Sequence, residues 1–222
     1  MANTVKSRAT GRRTVGPRKY DPEKSKRNIL SVATKEFAQH GLNGARIDAI
    51  AARTSTTKRM IYYYFGGKEQ LYVAVLEQEY AKIRECESQL NLDRLAPEQA
   101  IRRLAEFTFD YDHANPDFVR LVAIENIHHA RHISKSKKIR GVNSTIVDTI
   151  GAILKRGRRE GTFRRSVRPV DVHMLMSALC FFHVSNLHTF GSIFGRDFLA
   201  PGVRRTHKRI VADFIVHLLK HG

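Results

Sequence analysis

The stretch Ala45–Lys68, ARIDAIAARTSTTKRMIYYYFGGK, decides the fold. Ile47, Ile50 and Ala51 stand at i, i+3 and i+4, one face of a short helix. Thr54-Ser55-Thr56 interrupt it, because short hydroxyl side chains compete for backbone hydrogen bonds. Thr57 is placed to cap a second helix by accepting a hydrogen bond from an early backbone N–H. That helix carries Lys58, Arg59, Met60, Ile61 and three tyrosines, and Gly66-Gly67 end it, since glycine enters left-handed dihedrals at little cost. Helix, tight turn, basic helix is the helix-turn-helix arrangement, whose second helix enters the DNA major groove. Ile61 is a core residue, and Tyr63 and Phe65 are expected to join it because the helix must bury one face.

The charge agrees. The 222 residues carry a formal net charge of +18, from 39 basic and 21 acidic side chains. The first 68 residues hold 7 Lys and 8 Arg against 2 Asp and 2 Glu, a net +11. A polyanionic partner follows, because neutralising phosphates releases counterions. A hydrophobic content of 42% supplies a core and excludes general disorder. Cys86 and Cys180 lie far apart in apolar helical patterns, which suits a reducing compartment and no disulfide or metal knuckle. Met1–Asp21 lacks the apolar segment of a secretory signal. The apolar run Met174–Val184 is interrupted by Ser177 and His183 and is too short to cross a bilayer. A soluble, cytoplasmic, nucleoid-associated protein with no membrane partner is expected.

Outside the central stretch the chain reads as helices alone. Residues 1–20 hold six basic residues, no acid, and Gly11, Gly16 and Pro17: a disordered arm that either lies against DNA or serves as a solubilising tail. Asp21-Pro22 opens a helix carrying Ile29, Ala33 and Phe37 and closed by Gly41. A long helix runs from Lys68 to about Leu90, and Asn91–Pro97 break it. Further helices are expected over Pro97–Ala114, from Asn115-Pro116 through His129, from Val142 to Gly161, from Val170 to about Phe190, and from Arg204 to Leu219. Ser134–Lys138 should be a basic link. The Val170 helix is nearly apolar all round, the pattern of a buried helix. The fold class is all-α, with a basic arm at 1–20, a DNA-binding head at 21–68 and a helical body at 69–222.

The run IDAIAARTSTTKRMIYYYFGGKEQLYVAVLE, with the scaffold helix before it, resembles the helix-turn-helix signature of the TetR family of transcriptional regulators over about Ser25–Leu76. Ser55 stands where the family has a turn glycine, and Thr56 where it has a small apolar residue. The resemblance implies a three-helix DNA-binding domain and a larger helical domain for ligand binding and dimerisation. It implies DNA contacts from Arg46, Thr57, Lys58, Arg59, Met60, Tyr62, Tyr64 and Lys68. Lysine and arginine suit guanine O6 and N7, tyrosine hydroxyls suit phosphates, and methionine suits a thymine methyl. One short recognition helix carries little specificity, so a homodimer on a pseudo-palindromic operator in double-stranded DNA is expected. The implied effector is a small molecule held in the body. Phe107, Tyr111, Phe118, Leu121, Glu125, His129 and His183 are the candidate lining, aromatic with a few polar groups.

Ten of the 11 histidines follow residue 100. Glu125, His129 and His132 fall at i, i+4 and i+7, a spacing that suits a metal, yet no cysteine or HExxH pattern supports one, and a pocket or wet interface is preferred. There is no nucleophile elbow, phosphate-binding glycine loop or paired-carboxylate motif, so neither an enzyme nor a cofactor is expected. The charge alone also suits a sequence-tolerant architectural DNA binder, which would show dominant salt dependence.

Overall fold

The computed structural model describes residues 21–221, and every regular element among them is helical. The arm at 1–20 lies outside the described residues. Helix α1 (Pro22–Gly44) starts where Asp21 Oδ1 accepts the Lys24 N–H at 3.0 Å and Pro22 fills the first turn. Gly41, at φ 64°, breaks its regular path and lets the chain swing into α2 (Ile47–Thr54). Helix α3 (Lys58–Phe65) and the long α4 (Lys68–Ser88) follow. Ile29, Ala33, Phe37, Ile50, Ile61, Leu71, Tyr72 and Leu76 close a core among these four helices. Leu121 and Ile139, from later helices, complete it, so the first half of α4 is built into the head. Each such aliphatic side chain contributes about 1.5–3 kcal/mol on burial.

The body contains α5 (Pro97–Ala114), α6 (Pro116–Ile127), α7 (Lys137–Arg159), α8 (Pro169–Ser185), α9 (Leu187–Phe194) and α10 (Pro201–His221), with 3-10 turns at Leu92–Arg94 and Ile133–Lys135. Its main core joins α5, α7, α8 and α10 through residues such as Leu104, Ile150, Met176 and Ile215. Gly157 is buried on α7 because the Phe163 ring lies on it, in the space a β-carbon would take. Ile83, Tyr111 and Phe118 form a smaller cluster between α4, α5 and α6.

Three expectations need correction. Helix α6 ends at Ile127, and His129 and Ala130 take left-handed dihedrals (φ 56° and 57°). The cause is Glu125, whose carboxylate accepts the backbone N–H groups of His132 and Ile133 and folds the chain back. Helix α7 begins inside the expected link, because the Ser136 hydroxyl caps it by accepting the Ile139 N–H at 3.1 Å. The helix expected over Val170–Phe190 breaks at Asn186 into α8 and α9, bent by 61°, and is not buried all round. Val172, Met176 and Cys180 are buried, whereas Met174 and Phe182 are 62% and 50% exposed. Among the described residues, no single helix is long and apolar enough to cross a membrane.

Candidate DNA-binding surface and the residues of the body

The turn is built by local hydrogen bonds. Thr54 Oγ1 donates back to the Ile50 carbonyl at 2.8 Å, and Ser55 turns the chain in the left-handed region (φ 52°, ψ 38°). Thr57 Oγ1 then accepts the Met60 N–H at 3.2 Å, capping α3. Buried Ile61 anchors α3, leaving Lys58 and Arg59 exposed on its first turn. Lys58 Nζ lies 3.4 Å from Asp48 Oδ2 on α2, an exposed pair that a stronger anion can replace. Glu36, buried on α1, accepts the Arg46 N–H at 3.0 Å and pairs with Arg53 at 3.6 Å, tying α2 to the scaffold helix. Lys68 Nζ donates to the Asn43 carbonyl at 3.1 Å.

The three tyrosines divide. Tyr62 is 39% exposed and Tyr63 79% exposed, so Tyr63 is not a core residue. Tyr64 and Phe65 are half-buried against the head core, with Lys26 Nζ 5.6 Å from the centre of the Tyr64 ring. The signal for Tyr63 lay in the helical period: with Ile61 inward, Phe65 shares its face and Tyr63 points nearly opposite. Arg46, Thr57, Lys58, Arg59 and Tyr62 are exposed, while Met60, Tyr64 and Lys68 are half-buried.

The seven candidate lining residues do not share one cavity. Phe107, Tyr111 and Phe118 come together, with ring centroids 5.6 Å and 6.2 Å apart in succession. Leu121 packs into the head core. Glu125 is 2% exposed and bound to His132, whose Nδ1 lies 2.8 Å from its Oε1. Burial raises the Glu125 pKa, but hydrogen bonds from Ile133 and His132 outweigh it and hold the pKa below the usual value. His129 is exposed and away from this pair's hydrogen bonds, and no group of three or more metal-ligating side chains converges among the described residues. His183 sits elsewhere, 2.9 Å from His113 and 2.6 Å from His207 through ring nitrogens. Burial pushes His113 and His183 down to about 4, helped by the charge of Arg204, so this chain of rings is neutral at pH 7.

Sequence reading passed over another group. Arg84 and Glu87 of α4 and Asp112 of α5 are all largely enclosed, and burial raises both carboxyls to about 7. Arg84 and Glu87 line a cavity of about 300 Å³. Their i, i+3 spacing looks like any surface ion pair, and only tertiary packing reveals the burial.

A capped, exposed basic helix on a rigid three-helix scaffold, carried by a larger helical body, defines a helix-turn-helix DNA-binding regulator. Residues 29–75 match the family profile described as bacterial regulatory proteins, tetR family, and residues 97–215 match the tetracyclin repressor-like C-terminal domain. The chain is 34% identical over 208 residues to the HTH-type transcriptional repressor NicS of Pseudomonas putida, covering 94% of this chain and 98% of that protein. It is 29% identical to the repressor SCO4008 of Streptomyces coelicolor, over 86% of this chain and 97% of that one. Among solved structures, the transcriptional regulator SCO4942 of Streptomyces coelicolor superposes with a TM-score of 0.68 at 25% identity, over 89% of this chain and 99% of that one. The chain belongs to the TetR family of transcriptional regulators. The architectural alternative gains no support from these relatives, which are named as transcriptional repressors.

Proposed function

We propose that the protein is a cytoplasmic homodimeric repressor that binds a pseudo-palindromic operator and leaves it when a small-molecule effector occupies the body. The observation that carries this reading is the α3 surface: Thr57 caps the helix, Ile61 fixes it, and Lys58, Arg59, Tyr62 and Tyr63 project from it. Lys58 and Arg59 read base edges, with Met60 beside them. Arg46, Thr57, Tyr62, Tyr63, Tyr64 and Lys68 hold phosphates and set the register. The arm at 1–20 adds contacts along the backbone or in the minor groove. The head spans 21–68 and the body 69–222, with α4 shared between their cores. Two copies meet through the apolar faces of α8, α9 and α10. The full-length name similarity to repressors supports repression over activation.

Operator binding is tested on the intergenic DNA beside the protein's own gene, in competition with random duplex at fixed salt. The expected result is discrimination by about 10³-fold or more. Equal affinity for random duplex would reject sequence-specific regulation.

A further inference from the structure

The body end of α4 holds a buried arginine whose demands the protein leaves unmet. The Arg84 side chain is 10% exposed, and its Nη1 lies 2.9 Å from Glu87 Oε2. That contact is ionic without an aligned hydrogen bond, and neither Nη1 nor Nε has an acceptor. Guanidinium donors are rarely left unmade in an interior, because desolvation is not repaid. The neighbouring charges do not close the account. Burial disfavours the charge on Arg84, and Glu87 and Asp112 act on it from α4 and α5. From α8, His173 is pushed down to about 4 by burial and by Arg84, so it adds no charge at pH 7.

Of these groups, Arg84 and Glu87 border the 300 Å³ cavity, whose walls also include Leu92, Asp93, Thr145 and Thr149. The volume is at the small end of the range for ligand sites, about 300–1,000 Å³. The threonines do not serve Arg84: Thr145 Oγ1 donates to the Val142 carbonyl and Thr149 Oγ1 to the Thr145 carbonyl. Arg156 of α7 fastens one wall, donating to the carbonyls of Asp93 at 2.7 Å and Leu92 at 3.1 Å. The site therefore asks for two opposite things: an acceptor for the Arg84 guanidinium and a donor for the carboxyls beside it.

We infer that this cavity is the effector site, and that its ligand is a small amphoteric molecule with a carboxylate for Arg84 and a nitrogen-bound proton for Glu87. The inference rests on the reading of the chain as a ligand-released repressor. The position suits that role. Arg84 lies on the helix that begins at Lys68 beside α3, about 24 Å away at 1.5 Å per residue. A ligand that draws Arg84 and Glu87 into new bonds acts on the far end of the rod that carries the recognition helix. The near half is fixed to the turn that leads into α7 by Ser136 Oγ donating to Glu77 Oε1 at 2.7 Å and by Lys135 on Glu69 at 2.6 Å.

The test uses the full chain on its operator, with α-amino acids, aminobenzoates and pyridinecarboxylates as amphoteric probes and matched plain acids and amines as controls. Thermal shift reports binding and fluorescence anisotropy reports operator release. At least one amphoteric probe should raise the melting temperature and weaken operator binding within the usual coupling range of about 5–150-fold, and its plain acid and amine counterparts should do neither. Arg84→Met should keep operator affinity without probe and lose the response. Should that variant fail to fold, Glu87→Gln supplies the reading: it should lose the preference for the amphoteric probe over the plain acid. A shift with the plain acids alone, or with no probe at all, overturns the ligand class. A response unchanged in both variants overturns the site while leaving the repressor reading intact. Failure to bind any operator overturns the repressor reading itself.

Discussion

Ser55 holds the turn between α2 and α3 at φ 52°, where a β-carbon costs about 1–2 kcal/mol. The chain accepts this strain because the flanking helices fix both ends of the turn, with Thr54 and Thr57 bonding on either side. Ser55→Gly should therefore stabilise the protein by about 1 kcal/mol, less the entropy that glycine restores to the unfolded chain. A rise in the urea midpoint with unchanged operator affinity is the expected pair of readings, and a lower midpoint would mean that Ser55 makes a contact worth more than its strain. Tyr63 and Ile61, two residues apart, should separate stability from binding. Ile61 is fully buried, so Ile61→Ala should cost about 2–5 kcal/mol in unfolding. Tyr63→Ala, at a position 79% exposed, should leave the melting temperature in place and weaken operator binding. A destabilised Tyr63→Ala would return that residue to the core.

The glycines of α7 show how one helix obeys local preference at one position and tertiary packing at another. Gly141 is exposed with nothing within 4 Å of a new β-carbon, so Gly141→Ala should stabilise by about 0.5–1 kcal/mol. Gly157 lies under the Phe163 ring, and Gly157→Ala should destabilise by about 1–3 kcal/mol, because that ring is buried against the body core and has nowhere to retreat. Opposite shifts in melting temperature check the pair. Across α5, α8 and α10, His113, His183 and His207 link three helices while staying neutral. The unfolded chain takes up protons near pH 6.5, but folded His113 and His183 resist until about 4. Their contribution is complete above pH 6.5 and is lost as pH falls towards 4. Asp110 opposes this fall at His113, whereas Arg204 adds to it. The buried Glu87 and Asp112 carboxyls, raised to about 7, act in the opposite sense over the same range, so the rings are read by difference. The change in urea midpoint from pH 7.5 to 5 should be less unfavourable in His183→Gln than in the native protein. The legibility of these elements in the sequence follows the range of the forces involved. Helices α1 to α3 were readable because Asp21, Thr57 and Gly66 act within a few residues. The end of α6 was not, since Glu125 reaches seven residues ahead to His132 and no periodicity encodes that reach. Nor was the cluster of Arg84, Glu87 and Asp112, which assembles from two helices.

At the scale of the whole molecule, α8 and α10 each carry more apolar surface than one chain can cover. Met174, Phe182, Ile210 and Phe214 are each half or more exposed, and Ile193 and Phe194 of α9 extend the same chemistry. Phe182, Phe190 and Phe194 lie in succession with ring centroids 5.2 Å apart at each step, and exposed apolar surface of this kind marks an interaction site. It also explains why the Val170 region reads as a buried helix although a single chain buries only one of its sides. A second copy covering that face would place two heads on one operator, with recognition helices about 34–36 Å apart to meet successive major grooves. Phe214→Glu offers a clean break, because Phe214 lies outside the body core and its loss should leave the fold unchanged. Sedimentation should report a monomer with wild-type helicity. Operator affinity should fall by about 10²-fold or more, since each head then binds one half-site without the effective concentration supplied by its twin. A Phe214→Glu protein that stays dimeric and holds its operator would place the dimer interface on another face.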